Sequence, residues 1–475
     1  MVRIAKTMVK TVHDVETWSE PIEEKEADVD RLMALAEAER SQTMAGDVAK
    51  LHTGQLEQDK KLAKAYQALQ KLSDDVLGPI SRINQQLSLM EDALEREKRI
   101  TILESISNIK YVIQYKSPSL GLVENSGQWL LKKSSFRQWR DESCSSVLWL
   151  HGIPGSGKTK LTSMVISEAK KSNHVAYFYA DRNPVEPERS ECDQILRSLL
   201  RQLACPSHGG PILAPVLSKY KDALEDLEEI SDVIWPFDDA VEALIALCNL
   251  YPAVVFIIDA SDEVNPMNRL VLLDGLLRIM EESDTLVKIF ISSRENMDVF
   301  ERLESKPNVR IGAKDNAEDI AKFVQRQLKV ANLLQGKLPA SLKQKIPEVL
   351  IEGAQGMFRW VDLEIQSLRP LKVAADIDDR LGCLPETLEE SYFEMFDQIA
   401  KSGAHAFGLA ISTFQWLLYA RKPIAIADFA LLASVQLAPT LPHTAQNVLD
   451  VCHNLVVSND TGIFRFAHLS VREFL

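Results

Sequence analysis

Gly152, Gly157, Lys158 and Thr159 satisfy the spacing G-x-x-x-x-G-K-[ST] within GIPGSGKT, with Pro154, Gly155 and Ser156 inside the loop and Lys160 directly after it. The chemistry that suits this pattern is the grip of a triphosphate. Phosphate oxygens must lie against backbone N–H groups, so the loop carries little side-chain bulk, and Gly152, Gly155 and Gly157 permit the close approach. A helix starting near Lys158 would aim the positive end of its dipole at the phosphates. Lys158 would reach the β- and γ-phosphates, and the Thr159 hydroxyl would ligate Mg²⁺. The alternative is a glycine turn beside a surface lysine.

A second set of candidates follows roughly a hundred residues on. The run AVVFIIDA, Ala253 to Ala260, ends in Asp259, with Asp262 and Glu263 just beyond. A carboxylate at the end of an apolar strand suits the magnesium side of a phosphate site. Asp262 and Glu263 sit where a carboxylate could orient or deprotonate an attacking water. The plainer reading is a strand-to-loop turn with acidic caps. Arg294 ends the run VKIFISS, where a guanidinium could report on a γ-phosphate through charge-assisted hydrogen bonds, or serve only as a surface ion pair.

These residues need elements to hold them. Val147 to Leu150 read as a buried central strand, and Leu161, Met164 and Val165 as the first face of a helix. Strands are expected at His174 to Ala180, Ala253 to Ala260, Val287 to Ser293 and Asn308 to Gly312, with a helix between the first two marked by Ile195, Leu196, Leu199, Leu200 and Leu203. Alternation of this kind predicts a mostly parallel sheet covered on both faces. Trp129, Leu130, Leu131, Phe136 and Trp139 form an aromatic lead-in read as core packing, preceded by a linker-like KSPSLG from Lys116 to Gly121. From Asp315 onward the pattern is helical, including Gly353 to Leu368, Leu384 to Ile399 with Pro385 near its start, and Ile411 to Tyr419; Ile463 to Leu475 reads as a strand running into a helix.

The region before residue 110 is polar and helix-rich. Leu62, Tyr66, Leu69, Val76, Ile80, Ile83, Leu87, Met90 and Leu94 follow a heptad-like alternation, with Ser73 its polar member and Gly78-Pro79 interrupting it. A self-association or signalling module and an intramolecular bundle both fit. The acidic run Glu20 to Asp30 reads as a solvated face or loose linker.

A length of 475 residues allows about three domains. Apolar content of 46% and charged content of 26% are those of a soluble globular protein. The formal charge of −14 argues against a broad nucleic-acid surface or attraction to anionic lipid. No apolar run approaches the length of a membrane span, of about 20 residues, and the start lacks a secretory pattern. Six scattered cysteines without a C-x-x-C pair point to reduced thiols in the cytoplasm. No internal repeat with a period of about 20–50 residues is visible.

The set GIPGSGKT, FIIDASDEV, ISSR and FAHLSVREFL, in this order and at these distances, resembles the NACHT family of signal-transducing NTPases. It looks closest to the fungal, NLR-like branch often catalogued as nephrocystin-3-like, in which a NACHT core commonly precedes ankyrin or WD-type repeats. The segments GQWLLKKSSFRQW and LPETLEESY are also similar to that branch, so the resemblance spans roughly residues 110 to 475. It implies that Gly152 to Thr159 is the Walker A loop and Asp259 the Mg²⁺-side Walker B aspartate. It also implies that Asp262 and Glu263 are the extended acidic motif, and that Arg294 is the sensor arginine. His468 matches a winged-helix histidine that, in animal relatives, contacts the diphosphate and clamps the closed state. The family usually carries glycine after the magnesium aspartate; here Ala260 stands there.

The resulting expectation is an α/β P-loop NTPase with a parallel sheet core. Its divisions are a helical region at 1–110, a NACHT nucleotide-binding domain at 111–314, a helical domain at 315–400 and a winged-helix domain at 401–475. The ending on an apolar helix suggests a piece of something longer. The expected function is an ATP/ADP switch with Mg²⁺: closed with ADP, oligomerising with ATP, hydrolysing slowly and serving innate-immunity or cell-death signalling. Protein partners would engage the N-terminal helical region. The rivals are a conventional ATPase or phosphotransferase and a pseudo-NTPase scaffold stabilised by nucleotide.

Overall fold

The computed structural model describes residues 31, 33–34, 61–71, 93–119, 126–183, 186–206, 210–225, 233–295, 297–420, 425, 428–429, 444–458 and 462–475. The chain divides into two compact units, Met1–Lys98 and Arg99–Leu475. In the first, a helix covers 61–71, and Leu62 and Tyr66 of the heptad-like seam are exposed on it. Val76 to Met90 and the acidic run Glu20 to Asp30 lie outside the described residues.

The second unit is built on a five-stranded, wholly parallel sheet: β1 (Ser146–His151), β2 (His174–Tyr179), β3 (Ala253–Asp259), β4 (Leu286–Ser293) and β5 (Asn308–Arg310), in the order β2-β3-β4-β1-β5. Strands covered on both faces read as unbroken apolar runs, which is why SVLWLH and AVVFIID show no alternation in sequence. The alternation is present in space. Val147, Trp149, Phe256, Ile258, Ile289 and Ile291 pack under α2 (Cys192–Leu203), α3 (Phe237–Cys248) and α4 (Arg269–Glu282). Leu148, Leu150, Val255, Ile257 and Phe290 pack on the other face under α1 (Lys158–Ala169) and the Phe136 and Trp139 side chains. The aromatic lead-in is therefore core, as its pattern suggests.

A second core joins the helices α5 (Ala317–Ala331), α6 (Ala340–Gly353), α7 (Phe358–Leu368), α8 (Leu388–Lys401) and α9 (Ala404–Tyr419) to a small antiparallel pair, β6 (Val456–Ser458) and β7 (Phe464–Phe466), and the terminal helix α10 (Leu469–Phe474). An isolated antiparallel bridge ties Ala425 to Ile463.

Three local expectations are corrected. The linker-like KSPSLG is helical through Ser119, in a helix over Tyr111–Ser119. The single helical stretch from Gly353 to Leu368 is broken, because Gln355 and Gly356 take positive φ of 45° and 92° between α6 and α7. The helix expected from Leu384 begins at Leu388, where the Thr387 side chain accepts from the Glu390 N–H. Residues Ile102, Leu103 and Ile106, placed with the N-terminal region by composition, pack into the core of the sheet unit. Among the described residues no helix is long and apolar enough to cross a membrane.

Candidate nucleotide site

Because all five strands run the same way, their carboxyl ends share one edge, where α/β sheets place their ligands. The loop after β1, the last residue of β3 and the residue after β4 therefore meet. Gly155 and Gly157 adopt φ of 74° and 90°, in the left-handed region that side chains avoid. A Cβ at Gly155 would lie 2.9 Å from Cβ of Arg359, and one at Gly157 would lie 3.2 Å from the Phe358 ring. The loop is thus glycine-rich for two reasons, its own dihedrals and the start of α7 pressed upon it. The Phe358 N–H donates to the Gly155 carbonyl at 2.9 Å, and Asn316 Nδ2 donates to both Ser156 O and Gly356 O, at 3.4 and 2.9 Å.

Lys158 opens α1, and its Nζ donates to the carbonyls of Gly152 and Ile153 at 2.8 and 3.0 Å. Burial pushes this ammonium down to about 8, with Asp262 pulling the other way. Asp259 is buried and accepts from the hydroxyls of Thr159, Thr162 and Ser292, with Thr162 Oγ1 at 2.7 Å from Oδ1. Burial raises this carboxyl above the ordinary range, and the three hydroxyls and the Lys158 charge partly offset that. Asp259 and Thr159, a hundred positions apart, are thus neighbours beneath the glycine loop. Lys160, the next residue of α1, has its ammonium lowered by burial and by the Arg326 charge.

The acid turn follows β3. Ala260 itself takes a left-handed conformation, φ 53°, where glycine would cost nothing, and its N–H is held by Ser292 Oγ at 3.0 Å. Asp262 accepts from the Arg294 N–H at 3.1 Å and pairs with its Nε at 3.3 Å. Glu263 accepts from the Arg182 N–H at 3.2 Å. Burial, with the Asp181 and Asp262 charges beside it, holds Glu263 well above the usual carboxylate range. Arg294 also donates to Glu473 at 2.6 Å.

His468 caps the N-terminus of α10. Its Nδ1 accepts from the Ser470 N–H at 3.1 Å and meets Ser470 Oγ at 2.6 Å; Tyr392 OH lies 2.8 Å from that hydroxyl. An Nδ1 that accepts from an amide leaves the ring proton on Nε2, so the other edge of the imidazole is a donor. Burial, then the charges of Arg359, Arg294 and Lys158, push the imidazole down to about 4. The ring is therefore neutral at pH 7 and feels the charges of these three cations.

The structure brings Gly152, Pro154, Gly155, Ser156, Gly157, Lys158, Thr159, Asp259, Asp262, Glu263, Arg294 and His468 to this one edge. Four participants escape a motif reading. Thr162 and Ser292 hold Asp259, Arg182 holds Glu263, and Arg359 leans on Gly155 with its buried Nε lacking a partner. Only Ser292 lies inside a quoted motif, ISSR.

The residues fit a magnesium-bound nucleotide. The glycine cradle is one that a Cβ would fill, and the Ser156 hydroxyl inside it is buried without a partner. Thr159 and Asp259 would hold the ion. Among the described residues no group of three or more His, Cys, Asp or Glu side chains stands together that could hold a metal ion.

The model of the nephrocystin 3 N-terminal family matches residues 125–294, a span running from the aromatic lead-in through the loop and Asp259 to Arg294. The vegetative incompatibility protein HET-E-1 of Podospora anserina is 27% identical over 376 residues, covering 75% of this chain and 26% of that protein. These two matches support a NACHT, fungal NLR-like family for this chain. The chain spans about a quarter of that curated relative's length. Among solved structures, a Walker-type ATPase of Pyrococcus abyssi aligns over 72% of this chain and 95% of its own, with 13% identity and a TM-score of 0.34. Cdc6p of Pyrobaculum aerophilum aligns over 78% and 96%, with 13% identity and a TM-score of 0.31. The α/β P-loop core rests on the sheet order and the loop rather than on these neighbours. The glycine loop and Asp259 at the carboxyl edge of a parallel sheet are the parts of a phosphate-binding site.

Proposed function

We propose that this NACHT chain is a nucleotide-operated switch: closed with ADP, opened by ATP and Mg²⁺, and reset by slow hydrolysis. The observation that carries the reading is the seat of His468, which caps the last helix through the Ser470 N–H and is held neutral by burial and by the charges of Arg359, Arg294 and Lys158. Its Nε2–H is a donor suited to a diphosphate, so the terminal segment would dock more firmly on ADP. A two-state interface needs such differential contact with the ligand to be biased by it. Bound Mg²⁺ would supply charge neutralisation to the phosphates. Lys158 would orient the phosphate tail, and Asp262 and Glu263 would position water. Burial raises the Glu263 carboxyl, so less of it is ionised at neutral pH than of an ordinary carboxylate, while the ionised form is the stronger base.

In this reading 111–314 is the nucleotide-binding domain, 315–400 a helical domain and 401–475 a winged-helix domain; the β6–β7 pair and the bridge to Ala425 support the last. The ATP form would self-associate in the cytoplasm, with the N-terminal helical region contacting protein partners in innate-immunity or cell-death signalling. The test is His468→Ala. ADP release followed by stopped-flow is expected to accelerate about tenfold, since one hydrogen bond to a charged group is worth roughly 1.5–3 kcal/mol. Equal off-rates in variant and parent would sink the clamp.

A further inference from the structure

We propose that Arg472 and Glu473, adjacent residues of α10, are positioning residues for the acid turn. Glu473 grips the guanidinium of Arg294 and Arg472 the main-chain carbonyl of Arg182, the two arginines that hold Asp262 and Glu263, so that docking of the terminal helix sets where Arg294 points and where the Arg182 main chain sits. The proposal rests on the switch reading above, but on different residues from its histidine.

Two routes run from the dipeptide to the acids. Glu473 Oε2 accepts from Arg294 Nη1 at 2.6 Å, while Arg294 turns its Nε to Asp262 Oδ2 at 3.3 Å and its N–H to Oδ1 at 3.1 Å. Arg472 Nη1 donates to the carbonyl of Arg182. The N–H of Arg182 donates to Glu263 at 3.2 Å, and its Nη2 donates to the carbonyls of Asp262 and Val264 at 2.8 and 3.1 Å. Arg269, itself paired with Asp298, donates to those same two carbonyls, so the turn is braced from inside the sheet unit whether or not α10 is docked. What α10 adds is control of the outer braces. Neighbouring residues of one short helix reach one acid each, through arginines that leave the ends of β2 and β4.

Arg294 is the consequential partner. Its side chain is 19% exposed, and it is shared between Asp262, 6% exposed, and Glu473, 50% exposed. A guanidinium offers five donors in a fixed fork. With Nη1 given to Glu473 and Nε turned to Asp262, two of the five donors face carboxylates, and the Nη1 edge is the one that Glu473 holds. A γ-phosphate and Glu473 therefore compete for the same Nη1 edge, whereas a diphosphate leaves the Glu473 pair alone. The competition itself distinguishes ATP from ADP. The half-exposed pair is weak by itself, in the range of exposed ion pairs, and a reversible latch needs that weakness.

The experiment measures ATP and ADP affinities, with Mg²⁺, for the whole chain and for Glu473→Gln, Glu473→Asp, Arg472→Ala and His468→Ala. Glu473→Gln is expected to raise ATP affinity relative to ADP about three- to fivefold, the fold-change of a partly screened ion pair. Glu473→Asp, which keeps the charge, should return the ratio toward the parent. Arg472→Ala should shift it in the same direction as Glu473→Gln. If the ratio stays parental in both Glu473→Gln and Arg472→Ala, the latch is overturned. Faster ADP release from His468→Ala in that same experiment would leave the switch standing, and parental behaviour in all the variants would take the switch down as well.

Discussion

Lys158→Ala is expected to weaken nucleotide binding by about a hundredfold or more, read by titration with a fluorescent ATP or ADP analogue. Charge-assisted hydrogen bonds are worth roughly 1.5–3 kcal/mol each, and this ammonium would serve two phosphates. Folding should suffer little. The lysine's Nζ now rests on the carbonyls of Gly152 and Ile153, and the burial that lowers it to about 8 is a cost that alanine removes. The loop backbone is held independently through Phe358 and Asn316. A variant that melts like the parent but fails to bind assigns the site, whereas undiminished affinity removes the nucleotide from this loop.

Asp259→Asn should abolish the Mg²⁺ dependence of nucleotide affinity and slow any Mg²⁺-dependent hydrolysis about a hundredfold, because a metal's stabilisation of phosphate charge is worth several kcal/mol. Its effect on the fold without nucleotide has the opposite sign. The carboxyl's folded pKa is raised by burial. The stability it contributes is therefore complete below the unfolded value and is lost as pH rises through the folded one. The parent bears that loss as pH rises, and the asparagine does not. Melting curves between pH 5 and 8 should show the variant at least as stable as the parent and less sensitive to pH. A destabilised variant that still responds to Mg²⁺ would mean that Asp259 is a structural anchor with no share in the metal.

What was legible in the chain, and what was not, follows from the range of each interaction. The glycine loop, the apolar run before it and the helix after it are neighbours in sequence, and Gly152 to Thr159 can be read directly. Asp259 is readable because an apolar run ends in it. Ser292 becomes its partner only because β4 lies beside β3 with Ile291 opposite Ile258, which puts the next residue of each strand side by side. Neither strand states that adjacency. Arg359 is hidden for a similar reason. It sits in GMFRWV, a stretch that reads as an ordinary buried helix, and its place over Gly155 depends on how α7 docks some two hundred residues after the loop. The break at Gln355 and Gly356 that permits this docking is also where the helical reading of Gly353 to Leu368 fails: a short pair of left-handed residues leaves no mark in the hydrophobic periodicity. Arg182 meets Glu263 through its backbone N–H, which every residue has, and its guanidinium meets only main-chain carbonyls, so no side-chain pairing in the sequence could single it out.

The most direct test of a chain built to hold a nucleotide at the carboxyl edge of its sheet is to denature the purified, undialysed protein and identify what it releases. About one equivalent of ADP per chain is expected, falling to a small fraction in Lys158→Ala. Protein that releases no nucleotide, and that also fails to take up ADP or ATP added with Mg²⁺, would contradict the account.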